Sequence, residues 1–152
     1  MTAKELISLL GLKPLEREGG FFSETIRSPI NINAGEIRTG YNGERSLFTA
    51  IYYLLTDDDF SAPHKINSDE MWFFHFGDPI ELTLMSPEGI LEKRILGNDI
   101  QSGYRPQVHI PANSVQSAKL LAGEHKFALV STVVIPGFDY RDFDAGKRFS
   151  ST

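Results

Sequence analysis

Apolar residues recur at helical spacing near the start of the chain. They form one stripe, made of Leu6, Leu9 and Leu10. Thr2 and Glu5 have the spacing of a capping box, in which each satisfies a backbone N–H that the first turn leaves unpaired. Gly11 follows the stripe and is typical of a helix end. The pattern predicts an N-terminal helix within residues 1–11, and after Pro14 the helical period disappears.

The rest of the chain has the pattern of a β protein. Short apolar or alternating segments lie at 21–28, 47–55, 70–76, 80–85, 90–96, 115–121 and 126–135. The connections are rich in glycine, proline, asparagine and aspartate, and "SPEG" at 86–89 is short enough for a hairpin loop. This arrangement predicts an all-β fold, an antiparallel sandwich or barrel.

Two of the predicted strands are apolar on both faces. The segments "AIYYLL" (50–55) and "MWFFHF" (71–76) have no clean polar side, so each should pack inward on one face and against something else on the other. A homodimer that pairs the outer faces of two sheets explains this pattern. The alternative is that the N-terminal helix and the C-terminal segment cover those faces within one chain.

Composition narrows the class of protein. A chain of 152 residues suits one domain, and its net charge of -5 without a basic cluster argues against a nucleic-acid partner. The absence of cysteine excludes disulfides, thiolate nucleophiles and cysteine-bound metals. No apolar run approaches the length that spans a membrane, so a cytoplasmic protein without a membrane partner is expected.

The stretch "HKINSDEMWFFHFG" (64–77) holds the candidate chemistry. On a strand, His64 and Ile66 point to the same face. A three-residue turn then reverses the chain, and Glu70 begins the next strand beside them. Glu70, Trp72 and Phe74 share one face of that strand. The spacing predicts an imidazole and a carboxylate side by side at one end of an aromatic-walled cavity.

This spacing resembles the first motif of the cupin superfamily: histidine, any residue, histidine, three or four residues, glutamate, six residues, glycine. His64, Glu70 and Gly77 match, whereas Ile66 stands at the second histidine. The second cupin motif ends in a proline, any residue, glycine, two residues and a histidine. In the matching stretch from residue 111, Asn113 stands for the glycine, and Gln116 for the last metal-binding histidine.

Three further stretches are similar to a family of small single-domain cupins described as predicted sugar epimerases. They are "REGGFFSETIRS" (17–28), "SDEMWFFHFGDPIEL" (68–82) and "VIPGFDYRDFDAG" (134–146). The resemblance extends from Leu12 to Lys147 and implies a cupin jelly-roll barrel, usually a dimer. We therefore expect one cupin domain over 1–152, with the N-terminal helix at 1–11 and a C-terminal extension at 136–152.

Complete cupin sites use three imidazoles and a carboxylate, and two of those four positions have changed here. We predict no tightly bound metal and no firmly implied cofactor. A weakly held divalent ion on His64, Glu70 and Gln116, with water at the other positions, stays open.

The favoured hypothesis is a metal-independent isomerase or epimerase that moves a proton on a small polar, sugar-like ligand. In it His64 is the base and Glu70 orients it. Tyr53 supplies the acid, Trp72 stacks on the ring, and Gln116 orients a hydroxyl. The remaining substrate-binding candidates are Phe74 and Arg27, the latter able to hold an anionic group. The alternatives are a non-catalytic ligand-binding cupin and a weakly metal-dependent enzyme.

The other polar candidates have structural explanations. His75 lies on the strand face opposite Glu70 and is expected to be a hydrogen-bonded structural residue. His109 and His125 lack sequence partners and should be structural or exposed. The acidic and basic residues of "GFDYRDFDAG" (137–146) form either a functional loop or a solvated C-terminal clasp.

Overall fold

A computed structural model describes residues 1–145 and residue 149. Its elements are α1 (Ala3–Leu10), β1 (Lys13–Pro14), β2 (Phe21–Arg27), β3 (Asn31–Asn33), β4 (Glu44–Ser46), β5 (Thr49–Thr56), β6 (Phe60–Lys65), β7 (Asp69–Gly77), β8 (Ile80–Met85), β9 (Leu91–Leu96), β10 (Gln107–Ile110), β11 (Val115–Leu120), β12 (Phe127–Ile135) and β13 (Asp144–Ala145). The C-terminal extension predicted at 136–152 is covered only to Ala145 and at residue 149; its other positions lie outside the described residues.

The N-terminal helix has the predicted capping box. The Glu5 N–H donates to Thr2 Oγ1 at 3.2 Å, and the Thr2 N–H donates to Glu5 Oε2 at 2.7 Å. Gly11 ends α1 in the left-handed conformation, with φ 62°. The packed stripe differs from the prediction in one residue, because Leu9 is 72% exposed. The face that contacts the sheet instead follows the spacing i, i+3, i+4, i+7 from Ala3, which leaves Leu9 beyond its edge.

The strands form two antiparallel sheets that face each other. Within the described residues, six strands are in the order β1-β2-β5-β12-β7-β10 and five are in the order β13-β6-β11-β8-β9, while β3 and β4 pair separately. The main apolar core lies between the two sheets and includes Tyr53, Trp72, Leu82 and Val130. This architecture confirms the predicted all-β jelly-roll barrel with a short N-terminal helix.

All seven segments predicted as strands are strands, and "SPEG" joins β8 to β9 as a hairpin. β10 lies at the edge of the six-stranded sheet, and the alternation of its residues is too short to predict it. The connection between the predicted strand at 47–55 and the strand that carries His64 is shorter than the sequence pattern indicated. β6 already begins at Phe60, where Pro63 and the neighbouring polar residues hide the strand pattern.

The outer face of the six-stranded sheet is partly covered within the chain. Leu6 of α1 packs with Leu54, Phe127 and Leu129 in a second apolar cluster. Farther along the same face, Phe73 is only half-buried. The intrachain explanation of the doubly apolar strands therefore holds for part of this face.

Within the described part of the chain, no helix is long and apolar enough to cross a membrane.

Candidate functional site

A cavity of about 390 Å³ opens between the two sheets. Strands of both sheets and the segment after β12 contribute its walls. Its polar lining residues are Glu18, Glu24, Arg27, Thr49, His64, Glu70, Thr132 and Asp139. Its apolar lining includes Phe22, Ile51, Ile66 and Phe138. Buried polar groups within apolar walls of this kind are typical of small-molecule sites.

His64 lies inside the barrel with a defined tautomer. The residue is 4% exposed, and its Nδ1 lies 2.7 Å from the backbone oxygen of Ala62. Because a carbonyl oxygen only accepts hydrogen bonds, Nδ1 carries a proton, and Nε2 holds the lone pair when the ring is neutral. Nε2 lies 3.8 Å from Glu18 Oε2, and Phe143 stacks on the ring with centroids 5.4 Å apart. The predicted inward histidine is thus a buried group whose Nε2 faces the Glu18 carboxyl.

Glu18 is a site residue that the sequence pattern did not predict. Burial raises the pKa of its carboxyl to about 7, because the cavity wall removes the water that would solvate the charge. It lies in a turn before β2, in an irregular stretch with no strand periodicity. The sequence feature that could have indicated Glu18 as a site residue is its position in "REGGFFSETIRS", one of the three stretches that carry the family resemblance.

Two glycines after Glu18 hold this turn against β6. Gly19 and Gly20 have φ of 99° and 77°, a region that residues with a Cβ rarely adopt. A Cβ on Gly19 would collide with the backbone oxygen of Phe60. The close approach lets the Ala62 N–H donate to the Glu18 backbone oxygen at 2.7 Å. The glycine pair therefore positions Glu18 beside the strand that carries His64.

Glu70 points inward from β7 and is bonded to Gln116. Gln116 Nε2 donates to Glu70 Oε2 at 2.9 Å, and Gln116 is 2% exposed, as its predicted inward orientation requires. Burial raises the pKa of Glu70, and a nearby Glu18 charge acts in the same direction. The charge of a protonated His64 and hydrogen bonds from Gln116 and Thr132 oppose this rise.

His64 and Glu70 line the same cavity, as predicted, but the expected pairing of the strands that carry them is wrong. β6 belongs to the five-stranded sheet and β7 to the six-stranded sheet, so the turn carries the chain from one sheet to the other. The two residues approach from opposite sides of the barrel. The strand neighbour of His64 is Gln116, its register partner on β11.

The predicted aromatic residues lie beside the cavity, in the barrel core. The Tyr53 hydroxyl donates to the backbone oxygen of Gly19 at 2.6 Å, and burial raises its pKa well above the ordinary value. Trp72 meets the Tyr53 ring edge-on at 5.8 Å, and its Nε1 has no hydrogen-bond partner within residues 1–145. Phe74 packs against the same core. These contacts make Tyr53 an anchor of the Glu18 turn, and the predicted ligand contacts of the other two stay predictions.

The mouth of the cavity is closed on one side by the segment after β12. Phe138 and Asp139 of this segment line the cavity. Arg27 lies at the same edge and donates to Glu24 Oε1 at 2.7 Å and to the Phe138 backbone oxygen at 3.0 Å. The segment "GFDYRDFDAG" thus contributes to the cavity wall.

A buried ion pair anchors that segment. Arg45 donates to both carboxylate oxygens of Asp142 at 2.7 and 2.8 Å, with side chains only 1% and 4% exposed. The bidentate geometry fixes orientation as well as distance.

The donor set does not fit the three imidazoles and carboxylate of a complete cupin metal site. Ile66, 4% exposed, offers no donor, and the amide of Gln116 is bonded to Glu70. Among the described residues, no group of three histidine, aspartate or glutamate side chains is arranged to hold a metal ion. Weak metal binding by His64, Glu70 and Gln116 stays a prediction.

The remaining histidines lie away from the cavity, as expected. His75 Nε2 is 2.5 Å from Ser131 Oγ. His125 Nδ1 is 3.1 Å from Asp78 Oδ1, and His109 Nε2 is 3.6 Å from an Asp69 oxygen.

Asn113, which stands at the glycine position of the second cupin motif, has φ 64° and so adopts the left-handed conformation that glycine favours.

The jelly roll and the inward imidazole and carboxylate at cupin spacing define a small cupin with an altered ligand set. A family model, Cupin_5 of the cupin superfamily (DUF985), matches residues 4–146. The chain belongs to this family, which confirms the resemblance seen in its motifs. The match carries no information on sugar epimerisation.

Three relatives are 30–32% identical to the chain over the aligned residues. The Saccharomyces cerevisiae protein YML079W is 32% identical over 133 residues, which are 83% of this chain and 66%, just under two thirds, of the yeast protein. A Leishmania major protein of solved structure is 30% identical with a TM-score of 0.86, covering 95% of this chain and 86% of its own. A Shewanella oneidensis structure is 32% identical with a TM-score of 0.81, covering 95% and 84%.

More distant solved structures share the fold alone. Oxalate decarboxylase from Bacillus subtilis, in its structure at pH 4.6, has a TM-score of 0.57 at 13% identity. The match covers 86% of this chain and 28% of that one. Shared architecture at this identity does not transfer an activity.

Proposed function

We propose that this cupin is a proton-transfer enzyme, an isomerase or epimerase acting on a small, polar, sugar-like substrate. The observation that supports it most is Glu18, a carboxyl with a pKa of about 7 whose Oε2 lies 3.8 Å from Nε2 of His64 inside a cavity. A carboxyl that ionises near neutral pH can support a neighbouring imidazole base by stabilising its protonated form. Perturbed carboxyls in a cleft are also more common at functional sites than elsewhere.

The proposed reaction inverts a carbon next to a carbonyl. Nε2 of neutral His64 removes the proton, and the ionised carboxylate of Glu18 stabilises the resulting imidazolium. The enolate then takes a proton from Glu70, whose carboxyl burial keeps protonated to higher pH. Glu70 is carried by the sheet opposite that of His64, and inversion requires that it deliver this proton to the other face of the carbon. His64 finally returns its proton to Glu70 through solvent, which restores the starting state.

Exchange with deuterated solvent tests this proposal. The protein is incubated in D₂O with a panel of keto- and aldo-sugars, and incorporation at carbon is followed by NMR and mass spectrometry. We expect incorporation at a single carbon, reduced by about 100-fold or more in His64→Asn, the typical loss for a general base. The matched control is Glu81→Gln on the five-stranded sheet, where Glu81 pairs with Lys93. No incorporation across the panel would overturn the proposal.

A non-catalytic ligand-binding cupin is the second candidate. The hydroxyl of Tyr53, the acid expected from the sequence, is bonded to the Gly19 backbone oxygen at 2.6 Å. Gln116 holds one oxygen of Glu70. Both contacts favour a fixed binding site over a reacting one. A ligand that is retained through purification and identified by mass spectrometry, without exchange of its protons, would favour this candidate.

We also propose that the chain forms a homodimer through the outer face of the six-stranded sheet. Ile26 and Ile135 are each 46% exposed on this side, and Phe73 is half-buried between them and the region that α1 covers. Apolar surface of this kind on a sheet commonly marks an interface. Light scattering after size exclusion should give twice the monomer mass. We separately propose a cytoplasmic location, which rests on the sequence alone.

A further inference from the structure

We propose that the cavity accepts a neutral or amine-bearing polyol and discriminates against phosphorylated or carboxylated forms of the same compound. This inference rests on the proposed function for the location of the site. It concerns the charge of the ligand, which neither the fold nor the family determines.

The inner part of the cavity is acidic. Glu18, Glu70 and His64 all line it. The Glu18 side chain is 14% exposed, and its Oε2 lies 3.8 Å from Nε2 of His64. A phosphate or carboxylate that entered here would lose its water beside two carboxyl groups. Such a group needs several charge-assisted donors to offset that loss.

The cation at the mouth is already paired. Arg27 donates to both carboxylate oxygens of Glu24, from Nη2 at 2.7 Å and from Nε at 3.4 Å, and Nη1 donates to the Phe138 backbone oxygen at 3.0 Å. Asp139 adds a further carboxylate, which Arg141 holds at 2.9 Å. An anionic ligand would share Arg27 with Glu24, whose negative charge offsets that of the guanidinium. These contacts weaken the expectation that Arg27 holds an anionic group.

The rest of the wall suits a polyol. The polar residues Thr49 and Thr132 and the apolar residues Phe22 and Ile51 line the same space, and together they offer the mixed surface that a polyol contacts. The carboxylates of the cavity can accept hydrogen bonds from the hydroxyl groups of an uncharged ligand, so that no ligand charge has to be buried. An ammonium group would in addition form an ion pair with Glu18.

The test compares affinities within matched sets of ligands. For each of glucose, galactose and mannose, we would measure the parent sugar, the 2-amino sugar, the 6-phosphate and the uronate by titration calorimetry and saturation-transfer NMR at pH 8. The expected result is that, on at least one scaffold, the parent or amino sugar binds at least about tenfold more tightly than both anionic forms. An anionic form that binds as tightly or more tightly overturns the inference, and so does the absence of binding by every member.

Variants assign the discrimination to the proposed residues. Glu18→Gln keeps the shape but removes the charge, so the ratio of amino-sugar to phosphate affinity should fall several-fold. Glu81→Gln, a carboxyl outside the cavity, should leave that ratio unchanged. An unchanged ratio in Glu18→Gln contradicts the inference. Because these are binding measurements, selective binding without deuterium exchange would overturn the proposed catalysis and leave the inference intact.

Discussion

Replacing Glu18 by glutamine should stabilise the protein at neutral and alkaline pH. Burial raises the pKa of Glu18 from 4.5 to about 7, so the folded state holds this proton more tightly than the unfolded chain. The stability that the uncharged carboxyl contributes is fully present below pH 4.5 and is lost as pH rises through about 7. Glutamine is uncharged at every pH and keeps it.

The size of the effect follows from the two pKa values. A difference of about 2.5 units corresponds to about 3 kcal/mol, at 1.36 kcal/mol per unit. The side chain is only 14% exposed, so solvent screens little of it. The difference in unfolding free energy between Glu18→Gln and the native protein should therefore grow from near zero at pH 4.5 to about 3 kcal/mol at pH 8.

Urea unfolding at several pH values between 4.5 and 8 measures this difference. Glu81→Gln is the control, because hydrogen bonding to Lys93 lowers the pKa of Glu81 instead of raising it. The unfolding free energy of that variant relative to the native protein should therefore not rise with pH. If the Glu18→Gln difference does not rise either, the carboxyl is solvated in the folded protein and the reasoning that it supports the base at His64 is refuted.

Three further predictions concern the Arg45–Asp142 ion pair, the proposed dimer and the N-terminal helix. Arg45→Met leaves Asp142 buried without a partner and should lower the unfolding free energy by about 3–5 kcal/mol in urea titrations, whereas Arg141→Met, in an exposed pair, should lower it by less than about 1 kcal/mol. Phe73→Asp should convert the proposed dimer to a monomer by light scattering, and a dimer that persists would place the interface elsewhere. Thr2→Ala removes the capping box and should reduce stability by about 1 kcal/mol, measured by thermal unfolding monitored by circular dichroism.

Strand periodicity made much of the fold predictable. Alternation determines which face a residue occupies, so the inward positions of His64, Glu70 and Gln116 followed from spacing alone. Spacing did not predict which strands pair with each other. The sequence of a turn such as 66–68 is the same whether the turn joins neighbouring strands of one sheet or carries the chain to the other sheet. That is why Glu70 was expected beside His64 and lies across from it.

Glu18 lay beyond prediction for a different reason. Its position depends on two glycines with positive φ and on contact between its turn and β6, which joins residues distant in sequence. Its raised pKa depends on how the turn packs against the barrel, which no local pattern records. The ligand contacts expected of Trp72 and Phe74 stay predictions. Trp72 shares the strand face of Glu70, yet it lies deeper in the barrel and fills the core.

The pH dependence of deuterium exchange tests the central claim most directly. If Glu18 supports the base at His64, exchange at the substrate carbon should rise with pH through about 7, where the Glu18 carboxyl ionises. In Glu18→Gln the exchange should be slower and this rise should disappear. A native profile without a transition near pH 7, or a rise that persists in Glu18→Gln, would contradict the assignment of proton transfer to this pair.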